Sequence, residues 1–179
     1  PLLARRLTFY PIDALRTLRI LPPAAYQHAV TLRPQTTSPL SPAVAGSRLD
    51  IVLTFSPLPV AVELGTTFGV SVLGGAANAT ITAVHETTCG QVIRHSATPT
   101  LRCANLTVGP HHGPFAFSAD QPLELRVLVD GSVVEAFVAG GRAAVTHRVY
   151  PSSDAPLSVA VLNRGTRAIA LSTLEVYSM

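Results

Sequence analysis

The chain has 179 residues, 47% of them hydrophobic and 13% charged, which is enough for one domain with its own core and too apolar for a disordered segment. Its formal charge of +3 comes from 13 arginines with no lysine, scattered along the chain, a pattern that argues against a nucleic-acid-binding surface. No window approaches 18 consecutive apolar residues, so no membrane-spanning helix is expected.

Taken in order, residues Leu3 to Tyr10 read as an opening strand that Pro11 ends. The pattern then loosens up to Arg33: Ile12, Leu15 and Leu18 suit one helical face, Pro22-Pro23 interrupts it, and Ala24 to Ala29 suit a brief helical turn after the prolines. Thr36 to Ser47 is rich in Pro, Ser, Thr, Ala and Gly and reads as a loop. It does not divide two domains, because what precedes it is too short to hold a core.

From Arg48 onward the strand rhythm is continuous, with strands expected at Leu49 to Phe55, Thr66 to Leu73, Ala79 to Glu86, Gln91 to Arg94 and Leu101 to Val108. A three-stranded meander follows from Leu123 to Pro151, then strands at Leu157 to Leu162 and Ala168 to Tyr177. Short strands punctuated by turn residues, among them 15 Pro and 12 Gly, are the pattern of an all-β sandwich or barrel. In the meander, Asp130-Gly131 and Gly140-Gly141 supply turn positions. Leu123, Leu125, Val127 and Val129 fall on one face of its first strand, with Glu124 and Arg126 opposite. In its second strand Val133, Glu135 and Phe137 share one face against Val134, Ala136 and Val138. The chain therefore reads as one domain over 1–179, with 1–47 as its lead-in and loop and 48–179 as the sandwich body.

Two cysteines, Cys89 and Cys103, bracket a segment with turn residues at Gly90 and Pro99, so neighbouring strands can bring them within bridging distance. Asn78-Ala79-Thr80 and Asn105-Leu106-Thr107 are acceptor sequons for N-glycosylation. An oxidising, secretory location accounts for all three features; chance sequons and two buried thiols are the alternative. No signal peptide is visible and the chain begins at Pro1, which reads as a processed or excised piece of something longer.

Side chains that suggest chemistry have plainer structural readings. Asp130 and Glu135 are acidic but belong to one tight hairpin, with Asp130 shaping the turn and Glu135 pairing with Arg142 or Arg148. Ser132, His147 and Asp130 are the residue types of a catalytic triad, but no strained elbow or oxyanion loop surrounds Ser132. His111 and His112, with His85 and His95, are metal-ligand types. Adjacent histidines on an extended chain point to opposite sides, and His111 to Pro114 reads as a polar loop. Tyr10, Tyr26, Phe115, Phe117, Tyr150 and Tyr177 are candidates for a sugar-stacking platform, although Phe115 and Phe117 alternate as core residues would. No metal and no cofactor is expected.

The string Leu128-Val129-Asp130-Gly131-Ser132-Val133-Val134-Glu135-Ala136-Phe137, followed by Gly140-Gly141-Arg142, Thr146, Arg148-Val149-Tyr150-Pro151 and the closing Leu174-Glu175-Val176-Tyr177, resembles the carboxy-terminal β-sandwich of glycoside hydrolase family 32, in its plant acid-invertase form. The resemblance implies two antiparallel sheets face to face, a concanavalin-like or lectin-like jelly roll, with Asp130, Ser132, Glu135, Phe137, Arg142 and Arg148 as structural motif residues. It also implies a role beside a catalytic propeller of the same enzyme, a fructofuranoside substrate such as sucrose for the whole, and an extracellular, cell-wall or vacuolar setting. Subunit contacts, a homo-oligomer and carbohydrate contact are further roles open to such a module. The family's retaining chemistry uses a carboxylate nucleophile and a carboxylic acid, carried by propeller motifs resembling Trp-Met-Asn-Asp-Pro-Asn, Arg-Asp-Pro and Glu-Cys. This chain has no tryptophan and none of those motifs. The resemblance thus implies a non-catalytic module, or alternatively a structural subunit recruited into a larger assembly.

Overall fold

A computed structural model describes residues 30–40, 45–58, 63–89, 101–152 and 157–179. The expected opening strand at Leu3 to Tyr10, the helical turn at Ala24 to Ala29 and the strand at Gln91 to Arg94 lie outside these residues. Two six-stranded antiparallel sheets account for the described fold. Sheet A has the order β1 (Val30–Leu32), β12 (Ile169–Ser178), β3 (Arg48–Phe55), β8 (Leu123–Asp130), β9 (Val133–Val138) and β10 (Ala143–Arg148). Sheet B runs β2 (Thr36–Pro39), β11 (Ala160–Asn163), β4 (Thr67–Val72), β5 (Ala77–Val84), β6 (Leu101–Val108) and β7 (His111–Ser118).

Alternation builds the core between the sheets. Sheet A sends in Leu49, Ile51, Leu53 and Phe55 from β3, Leu123, Leu125, Val127 and Val129 from β8, and Val134, Ala136 and Val138 from β9, all buried. Sheet B answers with Phe68, Val70 and Val72, Ala79 and Ile81, Leu106 and Val108, and the predicted core pair Phe115 and Phe117. Phe55 and Phe68 meet edge to face with centroids 4.7 Å apart, a favoured aromatic geometry. Each such side chain contributes roughly 1.5–3 kcal/mol by leaving water.

Two segments expected as loops are strands. Within Thr36 to Ser47, β2 pairs with β11 and Ala45 bridges to Ser158. As a sheet edge, β2 is mostly exposed and accepts Pro39 at its end, so it carries no apolar alternation. Likewise His111 to Pro114 is the first half of β7, paired with β6 from Val108↔His111 onward. Its edge position tolerates Pro114, and its outward residues are polar or small. Gly109 turns the chain into β7 at φ +58°, and a Cβ there would run into the His147 ring.

The ends of the described chain interlock. Strand β12 lies between β1 and β3, and β11 lies between β2 and β4. Asn163 ties the two ends together from a fully buried position. Its Nδ2 donates to the Leu32 and Arg167 carbonyls at 2.9 Å, while its Oδ1 accepts from Gly165 N at 2.9 Å.

Candidate functional site

The outer face of sheet A is unusual in being covered. Asp50, Val52, Arg126, Leu128, Phe137 and Tyr177 all point away from the inter-sheet core and are all buried. Strand β3 is therefore apolar on its inner side and holds Asp50 on the other. Two residues diagonally across, on β8, Arg126 places its guanidinium on that carboxylate. The pair is 4% and 1% exposed by side chain, so its bidentate hydrogen bonds are what make burial of both charges tolerable. Beside them Tyr177, in register with Asp50, donates its hydroxyl to Glu175 at 2.5 Å. Sequence reading placed Arg126 on the outward face but did not join it to Asp50.

Of the motif residues, Asp130, Ser132, Glu135 and Arg148 sit at the less covered end of the same face. Asp130 is the last residue of β8, opposite Val133, so the two-residue turn is Gly131-Ser132 rather than Asp130-Gly131. Its carboxylate faces Arg48 at 3.6 Å in an exposed pair, not a backbone amide of the turn. Glu135 pairs with neither arginine: its register partner Thr146 donates to it at 3.0 Å. Arg148 instead donates from Nε to the Ser132 hydroxyl at 3.3 Å and lies 5.2 Å over the Tyr150 ring. Arg142 reaches across the sandwich, donating to the Ala116 carbonyl of β7 at 3.1 Å. Phe137 is buried.

The triad residue types are not assembled. Arg148 and Ser132 meet on the outer face of sheet A, whereas His147, the next residue along β10, packs on the inner side against His111 with centroids 5.4 Å apart. His112 points outward from sheet B by the alternation of β7, and His95 lies outside the described residues. No three His, Cys, Asp or Glu side chains converge as a metal-binding group among the described residues. Of the proposed stacking aromatics, Phe115, Phe117 and Tyr177 are buried and Tyr150 is exposed; Tyr10 and Tyr26 lie outside the described residues.

On sheet B, Cys89 and Cys103 form a disulfide with Cα atoms 5.8 Å apart. It fixes the short 3-10 turn Glu86–Cys89 to β6. Shallow clefts of about 250 and 450 Å³ flank it, the first reaching Leu64 and Arg102, the second Thr88 and Arg142. Asn78 and Asn105 both lie on the outer face of this sheet, in β5 and β6.

Comparison with known proteins matches the family model described as "Glycosyl hydrolases family 32 C terminal" over residues 15–178. A carrot protein named beta-fructofuranosidase, insoluble isoenzyme 2, is 44% identical over 63 residues, which cover 34% of this chain and 11% of the carrot protein. A rice (subsp. indica) insoluble isoenzyme 7 is 35% identical over 98 residues, covering 48% of this chain and 16% of the rice protein. Among solved structures, fructan 1-exohydrolase IIa from Cichorium intybus superposes with a TM-score of 0.58 at 19% identity, over 94% of this chain and 37% of that one. The beta-fructofuranosidase of Aspergillus kawachii gives a TM-score of 0.54 at 16% identity, over 85% of this chain and 27% of that one. The matched stretch is thus a small part of each relative's length.

Proposed function

We propose, from the premise that this chain belongs to the C-terminal domain family of the family 32 glycosyl hydrolases, that it is the non-catalytic β-sandwich module of an invertase-like β-fructofuranosidase. Its work is to stabilise a catalytic propeller and to shape access for longer substrates or contacts between subunits. One observation carries this reading: the family match extends over 15–178, yet this stretch holds none of the carboxylate motifs that fructoside hydrolysis needs. Support also comes from three sheet A carboxylates, since Asp50 is engaged by Arg126, Asp130 faces Arg48 and Glu135 accepts from Thr146. Retaining hydrolysis requires one free carboxylate nucleophile and one carboxylic acid flanking the scissile bond; in this reading both belong to the catalytic domain.

The setting proposed is the secretory pathway, ending in the cell wall or vacuolar lumen. The disulfide supports an oxidising compartment, and the plant relatives are named insoluble isoenzymes.

The test is to purify the full-length protein that contains this chain and the isolated chain side by side and assay sucrose. The expected outcome is release of glucose and fructose by the full-length protein and none by the chain alone. A full-length protein whose other partners are unrelated and which leaves sucrose intact overturns the reading in favour of a recruited structural subunit.

A further inference from the structure

The two sequons interlock on one surface. Strands β5 and β6 are neighbours with Thr80 opposite Thr107 and Thr82 opposite Asn105, so the two sequon threonines are register partners while the acceptor asparagines lie at opposite ends. Asn78 is four residues along β5 from Thr82, the residue facing Asn105, which puts the two asparagines about 14 Å apart along the strands at roughly 3.4 Å per residue. Two bulky substituents therefore have separate room. Both asparagines alternate outward with Thr80, Thr82 and Thr107, while Ala79, Ile81, Leu106 and Val108 fill the core. Both are half-buried. The Asn105 Oδ1 is sealed and has no hydrogen-bond partner. On the same face Thr67 and Thr82 share a 2.9 Å hydrogen bond, Ser71 stands opposite Asn78, and Cys103, two residues before Asn105, carries the disulfide to Cys89. The chain contains no third sequon, so sheet A carries none.

We infer that the outer face of sheet B is the glycan-bearing face, modified at Asn78 and Asn105, and that it stays in solvent in the complete protein, with the catalytic domain packed elsewhere. The transfer forms a bond between the asparagine Nδ2 and C1 of an oligosaccharide, breaks the C1–O bond of a lipid-linked diphosphate donor, and releases the Nδ2 proton. This rests on the secretory setting proposed above but not on the enzymatic reading.

The test uses full-length protein secreted by a eukaryotic host. Native protein is treated with peptide N-glycosidase in ¹⁸O water and its tryptic peptides are weighed. The expected result is ¹⁸O-labelled aspartate at positions 78 and 105, obtained without denaturing the protein; label at one position alone overturns modification at the other. Unmodified asparagine at both positions, in protein whose other sequons are occupied, overturns it. Glycans that resist release until the protein is unfolded overturn the solvent placement. Thr80→Ala and Thr107→Ala should each remove one glycan and leave the other. Loss of sucrose hydrolysis in the untreated full-length protein tests the proposed function separately, since it changes no glycopeptide mass.

Discussion

The Arg126 guanidinium donates to both carboxylate oxygens of Asp50, from Nε at 2.9 Å and from Nη2 at 2.8 Å, joining residues 76 apart in sequence. Removing one partner strands a charge in a covered site. Arg126→Ala should cost about 3–5 kcal/mol, read as a lowered urea midpoint, whereas Asp50→Leu combined with Arg126→Met should recover most of that loss. Equal destabilisation by the double and single variants would show that the charges are not what holds this face.

Asn163→Ala leaves the Leu32 carbonyl and the Gly165 amide without their buried partner. Each stranded group costs about 1–3 kcal/mol, so a total loss of roughly 3 kcal/mol is expected in chemical denaturation. Asn163→Asp should be nearly as damaging, because its carboxylate cannot donate to the Leu32 and Arg167 carbonyls.

The Cys89–Cys103 crosslink closes a loop of 14 residues' separation. Chain-entropy reasoning assigns it about 3 kcal/mol, so Cys89→Ser with Cys103→Ser should lower the melting temperature by several degrees. Reductant should lower the wild-type value and leave the variant unchanged.

Gly69 lies within β4, opposite both Leu162 and Thr80, and a Cβ there would collide with the Ala79 carbonyl. Gly69→Ala should destabilise by about 1–3 kcal/mol through overpacking, while Gly131→Ala should cost less, because nothing lies within 4 Å of a Cβ at that turn. Comparable losses at both sites would mean that backbone conformation, not the collision, sets the penalty.

The strands that were legible in the sequence are those with one face in the core. Leu123, Leu125, Val127 and Val129 alternate cleanly because β8 packs inward along its whole length, and β6 was expected with the bounds it has. Edge strands β2 and β7 were not legible, since half-solvated chain with Pro39 or Pro114 looks the same whether it pairs or loops. Register was harder still. Glu135 was matched to the wrong charge because opposite signs are visible in a sequence, whereas the cross-strand position of Thr146 follows only from the turn length at Ala139 to Arg142. The Asp50 pairing needed knowledge that an outward face is covered, which no local pattern encodes. Asn163 was missed for the same reason: its partners Leu32 and Gly165 come together only when both sheets close.

That closure sets the order in which the domain can assemble. Among the described strands, β1 and β2 pair with β12 and β11, which come after every other described strand in chain order, so nascent chain must wait with β3 and β4 each bare along one side. Contacts this distant slow folding, and an unpaired central strand invites the wrong neighbour. A frameshift or stop codon anywhere before Ile169 would leave that wait unending, and its expected product is aggregate rather than a smaller sandwich.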